Sequence, residues 1–268
     1  MALKLDFDEL PKSGIKKLYK FKSFDKDDYY KDLLRNGLWL SSRTELNDPY
    51  DCRVPYDFEL CTEEQIKQKM FDLLPDKYPA FIKIKMVERQ YEHRKSNPDL
   101  YQRYYNEFID SRIGVVSFTR DFNEYMWKEY ADEQKGFCVE LDSMKLFELF
   151  ERRFQSTGRR VFIFKVQYVE KLPVVNPCIA SLDEKSQLFR FKTTKWSKEN
   201  EWRAVCFEKN KELEQIDADI IKNIYFGLAA SEENIKISKE ILEKSNPNIG
   251  LHKAVKKTAS GLEFEKME

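Results

Sequence analysis

The chain has 268 residues, 41% of them hydrophobic and 14% aromatic, which is enough apolar material for a core and excludes a disordered protein. Lys plus Arg and Asp plus Glu cancel at 47 each, so no overall charge steers the chain toward nucleic acid or an acidic surface. The length fits one large domain or two small ones, and with no Gly/Ser linker we read 1–268 as one domain.

Leu18-Tyr19-Lys20-Phe21 reads as a short strand, and Asp25 to Asn36 as a helix ended by Gly37. Leu38 to Ser41 is a second short strand. Leu46-Asn47-Asp48-Pro49-Tyr50 has turn chemistry, with side chains that bond local backbone and a proline that fixes φ. From Thr62 to Arg112 apolar residues recur at spacings of three and four amid dense charge. We expect two or three amphipathic helices there, opened by a Thr62–Gln65 capping box, broken near Pro75, Pro79 and Pro98, and inserted into the domain. A strand over Gly114–Thr119, a helix over Glu124–Asp132, a strand over Gly136–Leu141 and a helix over Ser143–Phe154 follow. Arg160–Val169 is the longest strand expected, Lys192–Asn200 a polar loop, and Glu201–Phe207 a strand. The end reads as a strand (Ile221–Phe226), a helix (Glu232–Lys244) and two strands around Ser260-Gly261. Short strands interrupted by helices indicate an α+β fold of small mixed or antiparallel sheets rather than regular βαβ alternation.

Cys52, Cys61, Cys138, Cys178 and Cys206 are odd in number, form no C-x-x-C pair, and in three cases lie in apolar strand-like runs. That usage fits a reducing compartment. Met1–Lys12 has no apolar signal region, and no run approaches the roughly 18 apolar residues of a membrane span. A cytoplasmic protein with no membrane partner is expected. His93 and His252 belong to no zinc-ligand pattern, so no metal is expected, and they give no support to a Ser-His-Asp or Cys-His site. The eight glycines form neither a dinucleotide fingerprint nor a P-loop.

Three polar features remain beside apolar runs. Lys20 is either an outward lysine on an edge strand or a site cation. Ser117 and Thr119, two apart, face one side of a strand. Glu199 and Glu201 share one face if their segment is extended; they read either as a charged turn paired with Arg203, Lys195 or Lys198, or as a pair of working carboxylates.

These segments resemble a bacterial family known only as domain of unknown function 2971. The resemblance rests on Leu18–Phe21, Leu38-Trp39-Leu40-Ser41, Leu46–Asp51 and Val116–Phe118, on Met126-Trp127-x-x-Tyr130-Ala131 followed by Gly136–Glu140, and on Lys195-Trp196-x-x-Glu199-x-Glu201-Trp202-Arg203. It runs from about Leu18 to the C-terminal strands, with the helical insertion as its variable part. The segment order is also similar to that of ADP-ribosyltransferases, which implies a core of that kind and NAD as the substrate. By that resemblance Lys20, with Tyr19 beside it, stands where an Arg or His binds the NAD phosphates or ribose. Ser117 and Thr119 shape the nicotinamide pocket, Trp127 or Tyr130 stacks on the ring, and Glu201 is the catalytic carboxylate with Glu199 two residues ahead. Lysine lacks the fork of an arginine, which Arg43 or Arg203 would have to supply. Loss of nicotinamide forms a ribose oxocarbenium-like transition state that a carboxylate stabilises, while a second carboxylate activates the acceptor.

The implied partners are an acceptor, protein or nucleic acid, and a neutralising protein of a bacterial defence or toxin–antitoxin system. A non-catalytic binding module is the alternative. A further reading is a nucleic-acid-acting protein that uses Lys83, Lys85, Arg89, Arg94, Lys95 and Arg103 with Tyr91, Tyr101 and Tyr104 of the insertion.

Overall fold

A computed structural model describes residues 9–24, 29–48, 50–53, 57–157, 161–176, 178, 189–258 and 261–267. In chain order the strands are β1 (Lys17–Lys22), β2 (Gly37–Ser42), β3 (Ile113–Thr119), β4 (Phe137–Asp142), β5 (Val161–Lys165), β6 (Gln167–Val169), β7 (Phe191–Thr193), β8 (Glu201–Phe207), β9 (Glu212–Gln215), β10 (Ile221–Phe226), β11 (Gly250–Thr258) and β12 (Gly261–Lys266). Ten of these form one mixed sheet with the path β12-β11-β10-β4-β1-β3-β2-β9, to which β8 joins through β3 and β5 through β8; β6 and β7 form a small parallel pair. The α+β class holds, but ten strands gather into one mixed sheet where small sheets were expected, because β3 pairs on both edges and β8 carries β5 with it; β10 and β11 are joined by a parallel βαβ crossover.

The helices are α1 (Glu9–Lys12), α2 (Tyr29–Leu34), α3 (Glu63–Leu73), α4 (Ala80–Ser96), α5 (Pro98–Arg112), α6 (Glu124–Tyr130), α7 (Ser143–Thr157) and α8 (Glu232–Ser245). Tyr30, Leu33 and Leu34 of α2, Leu146, Leu149 and Phe150 of α7, and Ile235 and Leu242 of α8 cover one face of the sheet. There they meet Leu18, Val116, Phe118, Val139, Trp202 and Ile224. Each such Leu or Phe stabilises the fold by about 1.5–3 kcal/mol when fully buried. On the other face α6 lays Met126 and Trp127 against Phe21 and Cys138.

The pairing of β3 sets up the site. One edge of β3 pairs along its whole length with β8, from Ile113↔Phe207 to Thr119↔Glu201. The other edge is shared: β2 takes it at Gly114 and Val115, and β1 takes it at Thr119, opposite Tyr19. β1 and β2 are not neighbours in the sheet, so a split opens between them beside Ser117.

The insertion begins with the expected capping box, Thr62 and Gln65 bonding each other's backbone, and its helices break at the expected prolines. Four expected elements also change. The expected helix over Asp25–Asn36 is formed over Tyr29–Leu34, with 25–28 outside the described residues; its left-handed terminal residue is Asn36 (φ 61°), and Gly37 instead starts β2. A Cβ on Gly37 would stand 2.9 Å from the Asp32 carbonyl, so close packing explains that glycine. The long strand expected over Arg160–Val169 is broken at Val166, whose N–H leaves to donate to the Glu201 carbonyl (2.9 Å); β11 is longer. The helix expected to reach Asp132 stops at Tyr130, because Asp132, Glu133 and Gln134 all take positive φ. The expected polar loop after Lys192 is a 3-10 turn over Thr194–Glu199. Pro49 and Ser260 of the expected turns lie outside the described residues.

Candidate active site

A cleft of about 190 Å³ fills the split. Ser117 and Thr119 of β3 and Glu201 of β8 line it, as do Tyr19, Lys20 and Phe21 of β1 and Trp39 and Ser41 of β2. Tyr130 of α6 closes one side, and Glu45, Asp48, Asp51, Lys192, Trp196 and Glu199 are also in the lining. A second chamber of about 340 Å³ continues along β1, sharing Lys20, Phe21, Trp39, Ser41 and Glu45 with the first and adding Lys22 and Tyr29.

The two glutamates arrive by a route the sequence did not suggest. Their segment is not extended: Glu199 ends the 3-10 turn, Asn200 is left-handed (φ 43°, ψ 51°), and Glu201 opens β8. The left-handed residue turns both carboxyls toward the same place. The Thr119 hydroxyl locks the turn to β3 by donating to the Glu199 carbonyl (2.6 Å) while accepting from the Asp121 N–H (2.9 Å).

What they reach is a buried ionic cluster. The Lys192 ammonium lies 2.6 Å from Glu199, 3.2 Å from Asp51 and 3.3 Å from Glu201. Behind it Arg203, with no exposed surface, donates to both oxygens of Asp51 (2.8 and 3.0 Å), to both oxygens of Glu201 (2.8 Å each), and to the Phe189 carbonyl (2.9 Å). The bidentate fork on two carboxylates is the strongest form such pairing takes. The Tyr130 hydroxyl donates to the second oxygen of Glu199, and the Glu201 N–H donates to the Tyr168 hydroxyl (2.9 Å).

Burial and charge pull the ionisations apart. Burial raises the Glu199 pKa above the ordinary carboxylate value and Glu201 adds to the rise, against the opposing pull of Lys192. Asp51 is lowered, because Arg203 and Lys192 outweigh the cost of burying it. Burial disfavours the Lys192 charge, but Glu201, Asp51 and Glu199 together overcome it and raise its pKa. Lys20 moves the other way: burial, with Lys22 nearby, lowers it to about 8.

Seven of the eight residues singled out in the sequence line this cleft: Tyr19, Lys20, Ser117, Thr119, Tyr130, Glu199 and Glu201. Lys20 is no edge residue, since β1 lies between β4 and β3; its ammonium passes through the split to the Ser117 carbonyl (3.1 Å). Trp127 is the exception. It is 1% exposed and packs edge-on against Phe21 and Phe122 in the core beneath α6, so it does not reach the cleft. Neither arginine offers a free fork: Arg43 is committed to Asp110, Asn106 and the Cys52 carbonyl, and Arg203 to the ionic cluster. Lys195 faces Asp48 (3.8 Å) and Lys198 lies over the Tyr125 ring (5.9 Å), so the glutamates pair with Lys192 and Arg203 instead. In the insertion Lys83 is buried against Asp76 (2.9 Å) rather than displayed, and the side chains of Tyr101 and Tyr104 lie outside the described residues.

Sequence reasoning missed Lys192, Asp48, Asp51 and Trp196 as site residues. Two had a signal in the turn Asn47-Asp48-Pro49-Tyr50-Asp51: Asp48 caps the Tyr50 N–H (3.0 Å) and also accepts from the Trp196 indole N–H (2.5 Å), while Asp51 turns inward. All five cysteines are free. Among the described residues no group of three or more His, Cys, Asp or Glu is arranged to hold a metal ion, and no helix is long and apolar enough to cross a membrane.

Residues 126–204 match a family described as a protein of unknown function, DUF2971. The matched stretch carries Tyr130, Lys192, Trp196, Glu199, Glu201 and Arg203 and is shorter than the span expected from Leu18 onward. No curated protein matches the chain. No solved structure matches it.

Proposed function

We propose that the chain is an ADP-ribosyltransferase-like enzyme that cleaves the nicotinamide–ribose bond of NAD and transfers ADP-ribose to a protein or nucleic-acid acceptor. The observation that carries this reading is the convergence of Tyr19, Lys20, Ser117, Thr119, Tyr130, Glu199 and Glu201, from separate segments, on one cleft. Its charge supports the chemistry. Five carboxylates, Glu45, Asp48, Asp51, Glu199 and Glu201, line the cleft with two ammoniums, Lys20 and Lys192. Such a surface suits a cationic nicotinamide ring and the positive charge that develops on the ribose. Lys20 and Lys22, with the Tyr29–Trp39 ring pair (5.3 Å), give the adjoining chamber groups that suit phosphates and a base.

In this reading Glu201 accepts a hydrogen bond from the ribose 2′-hydroxyl and stabilises the cation. The C–N bond breaks and nicotinamide leaves with the electron pair. In the same step an acceptor oxygen or nitrogen bonds to the ribose carbon and passes its proton to Glu199, whose raised pKa favours taking it up. The test is NAD binding and nicotinamide release by wild type beside Glu201→Gln. Release that falls about 100-fold or more in the variant supports the reading; a folded wild type that neither binds NAD nor releases nicotinamide overturns it.

One observation favours a second reading, a binding module without turnover. Both Glu201 oxygens are already bonded to Arg203, and one of them also to Lys192. NAD binding with no release in wild type or variant would select it.

A further inference from the structure

We propose that Lys192 is a positioning residue for the two carboxylates of the cleft: it holds Glu201 against Arg203 and is the cation on which Glu199, the group that takes the acceptor's proton, depends. The inference rests on the NAD reading above and adds a residue that makes no contact with the ligand. Two observations support it. First, an ammonium has three donors, and Lys192 has three carboxylate partners, Asp51, Glu199 and Glu201, at 2.6–3.3 Å. No donor is left over for a phosphate. Second, Lys192 is the ion-pair partner of Glu199 among the described residues, whereas Glu201 and Asp51 also have Arg203. Removing the Lys192 charge therefore affects Glu199 most.

The ammonium is itself held. It lies over the Trp196 ring (5.0 Å), and the Trp196 indole is tied to Asp48. The groups that bear on Glu199 come from every side: Lys192 from β7, Glu201 from β8, and Tyr130 and Tyr125 from α6. Tyr168 from β6 faces both glutamates, whereas Lys20 from β1 senses Glu201 and so bears on Glu199 less directly. Tyr130 can keep its bond to Glu199 whether or not Lys192 is charged, so it does not substitute for the cation.

The experiment follows the side-chain carboxyl signals of glutamate by carbon-13 NMR in wild type, Lys192→Gln and Lys192→Arg. Glu199→Gln and Glu201→Gln assign the signals, and the pH profile of nicotinamide release is recorded alongside. Lys192→Gln is expected to move the Glu199 titration up by about one unit or more and to carry the acid limb of release with it. Lys192→Arg is expected to restore both most of the way, because it restores the charge. A Glu199 titration within about 0.2 units of wild type in Lys192→Gln, or one displaced equally in Lys192→Arg, overturns the proposal. If circular dichroism shows Lys192→Gln unfolded, the same titration is compared between Glu201→Gln and Glu201→Gln/Lys192→Gln, where one negative charge leaves with the positive one. The two ideas fail separately. A displaced titration with no release from wild type defeats the NAD reading alone; release with an unmoved acid limb and titration defeats the role of Lys192 alone.

Discussion

The helical arm of α3–α5 and the cleft beside β3 both hold a lysine between carboxylates at nearly the same distances. In the arm Lys67 lies 2.6 Å from Glu63 and 2.7 Å from Glu88, and in the cleft Lys192 lies 2.6 Å from Glu199. Their surroundings differ. The arm's carboxylates are 52% and 53% exposed, whereas Asp51, Glu199 and Glu201 are 3–4% exposed. Water screens the first set, so the pairs contribute little whatever their length. In the second set each charge depends on its partners, because an uncompensated buried charge is expensive. The lesson is that solvent access, more than separation, decides what an ion pair does here.

Among substitutions in the two regions, the largest effect is expected at Arg203. Arg203→Met leaves Asp51 and Glu201 buried with Lys192 alone, and should lower stability by about 3–5 kcal/mol in urea unfolding. A loss under about 1 kcal/mol would mean the cluster is as wet as the arm.

Acid comes next. Asp51 has a folded pKa below its unfolded value of about 3.9, so its contribution is present above that pH and is lost as pH falls toward the folded value. Glu199 has the opposite sign. Its folded pKa is raised, so its contribution is complete below about pH 4.3 and is lost as pH rises through the folded value. In melting curves from about pH 3 to about pH 8, a window that brackets the unfolded carboxylate values, Asp51→Asn should flatten the acid limb. Glu199→Gln should gain more at neutral pH than at pH 4, a value just below the unfolded glutamate pKa.

A smaller effect belongs to Lys20. Its folded pKa, about 8, lies below its unfolded value of about 10.4, so stability should climb with pH between the two. Lys20→Met should remove that climb; an unchanged climb would locate its cause elsewhere. The smallest effect is at Lys67, where Lys67→Ala should leave the melting temperature unresolved from wild type. A clear drop there would erase the contrast between the two regions.

Much of the architecture was legible because local chemistry agreed with it. The capping box at Thr62, the prolines of the arm and the short apolar runs of β1 and β3 each name their own element. The site was half legible. Ser117 and Thr119 followed from a period of two, and Lys20 stood out as a charge inside an apolar run. Lys192 did not, since a lysine beside a polar loop looks solvated until the carboxylates that surround it are folded into place. The shared face of Glu199 and Glu201 was expected for the wrong reason: an extended segment was assumed, and a left-handed Asn200 does the work. Trp127 was misread because a tryptophan in a motif can serve a ring ligand or a core equally well, and only the packing of α6 decides.

The shared edge of β3 has a dynamic consequence. Along the side where β2 takes Val115 and β1 takes Thr119, Ser117 falls between the two strands, and its carbonyl is met by a side chain rather than by a neighbouring backbone. A central strand is ordinarily the last part of a sheet to exchange its amide hydrogens with solvent, because exchange there requires global opening. Here the Ser117 N–H, which points to the same edge as that carbonyl, should exchange through a local opening of the split, well before the rows on either side. A ligand seated in the split would then announce itself as slowed deuterium uptake at Ser117, within a strand whose ends are already protected.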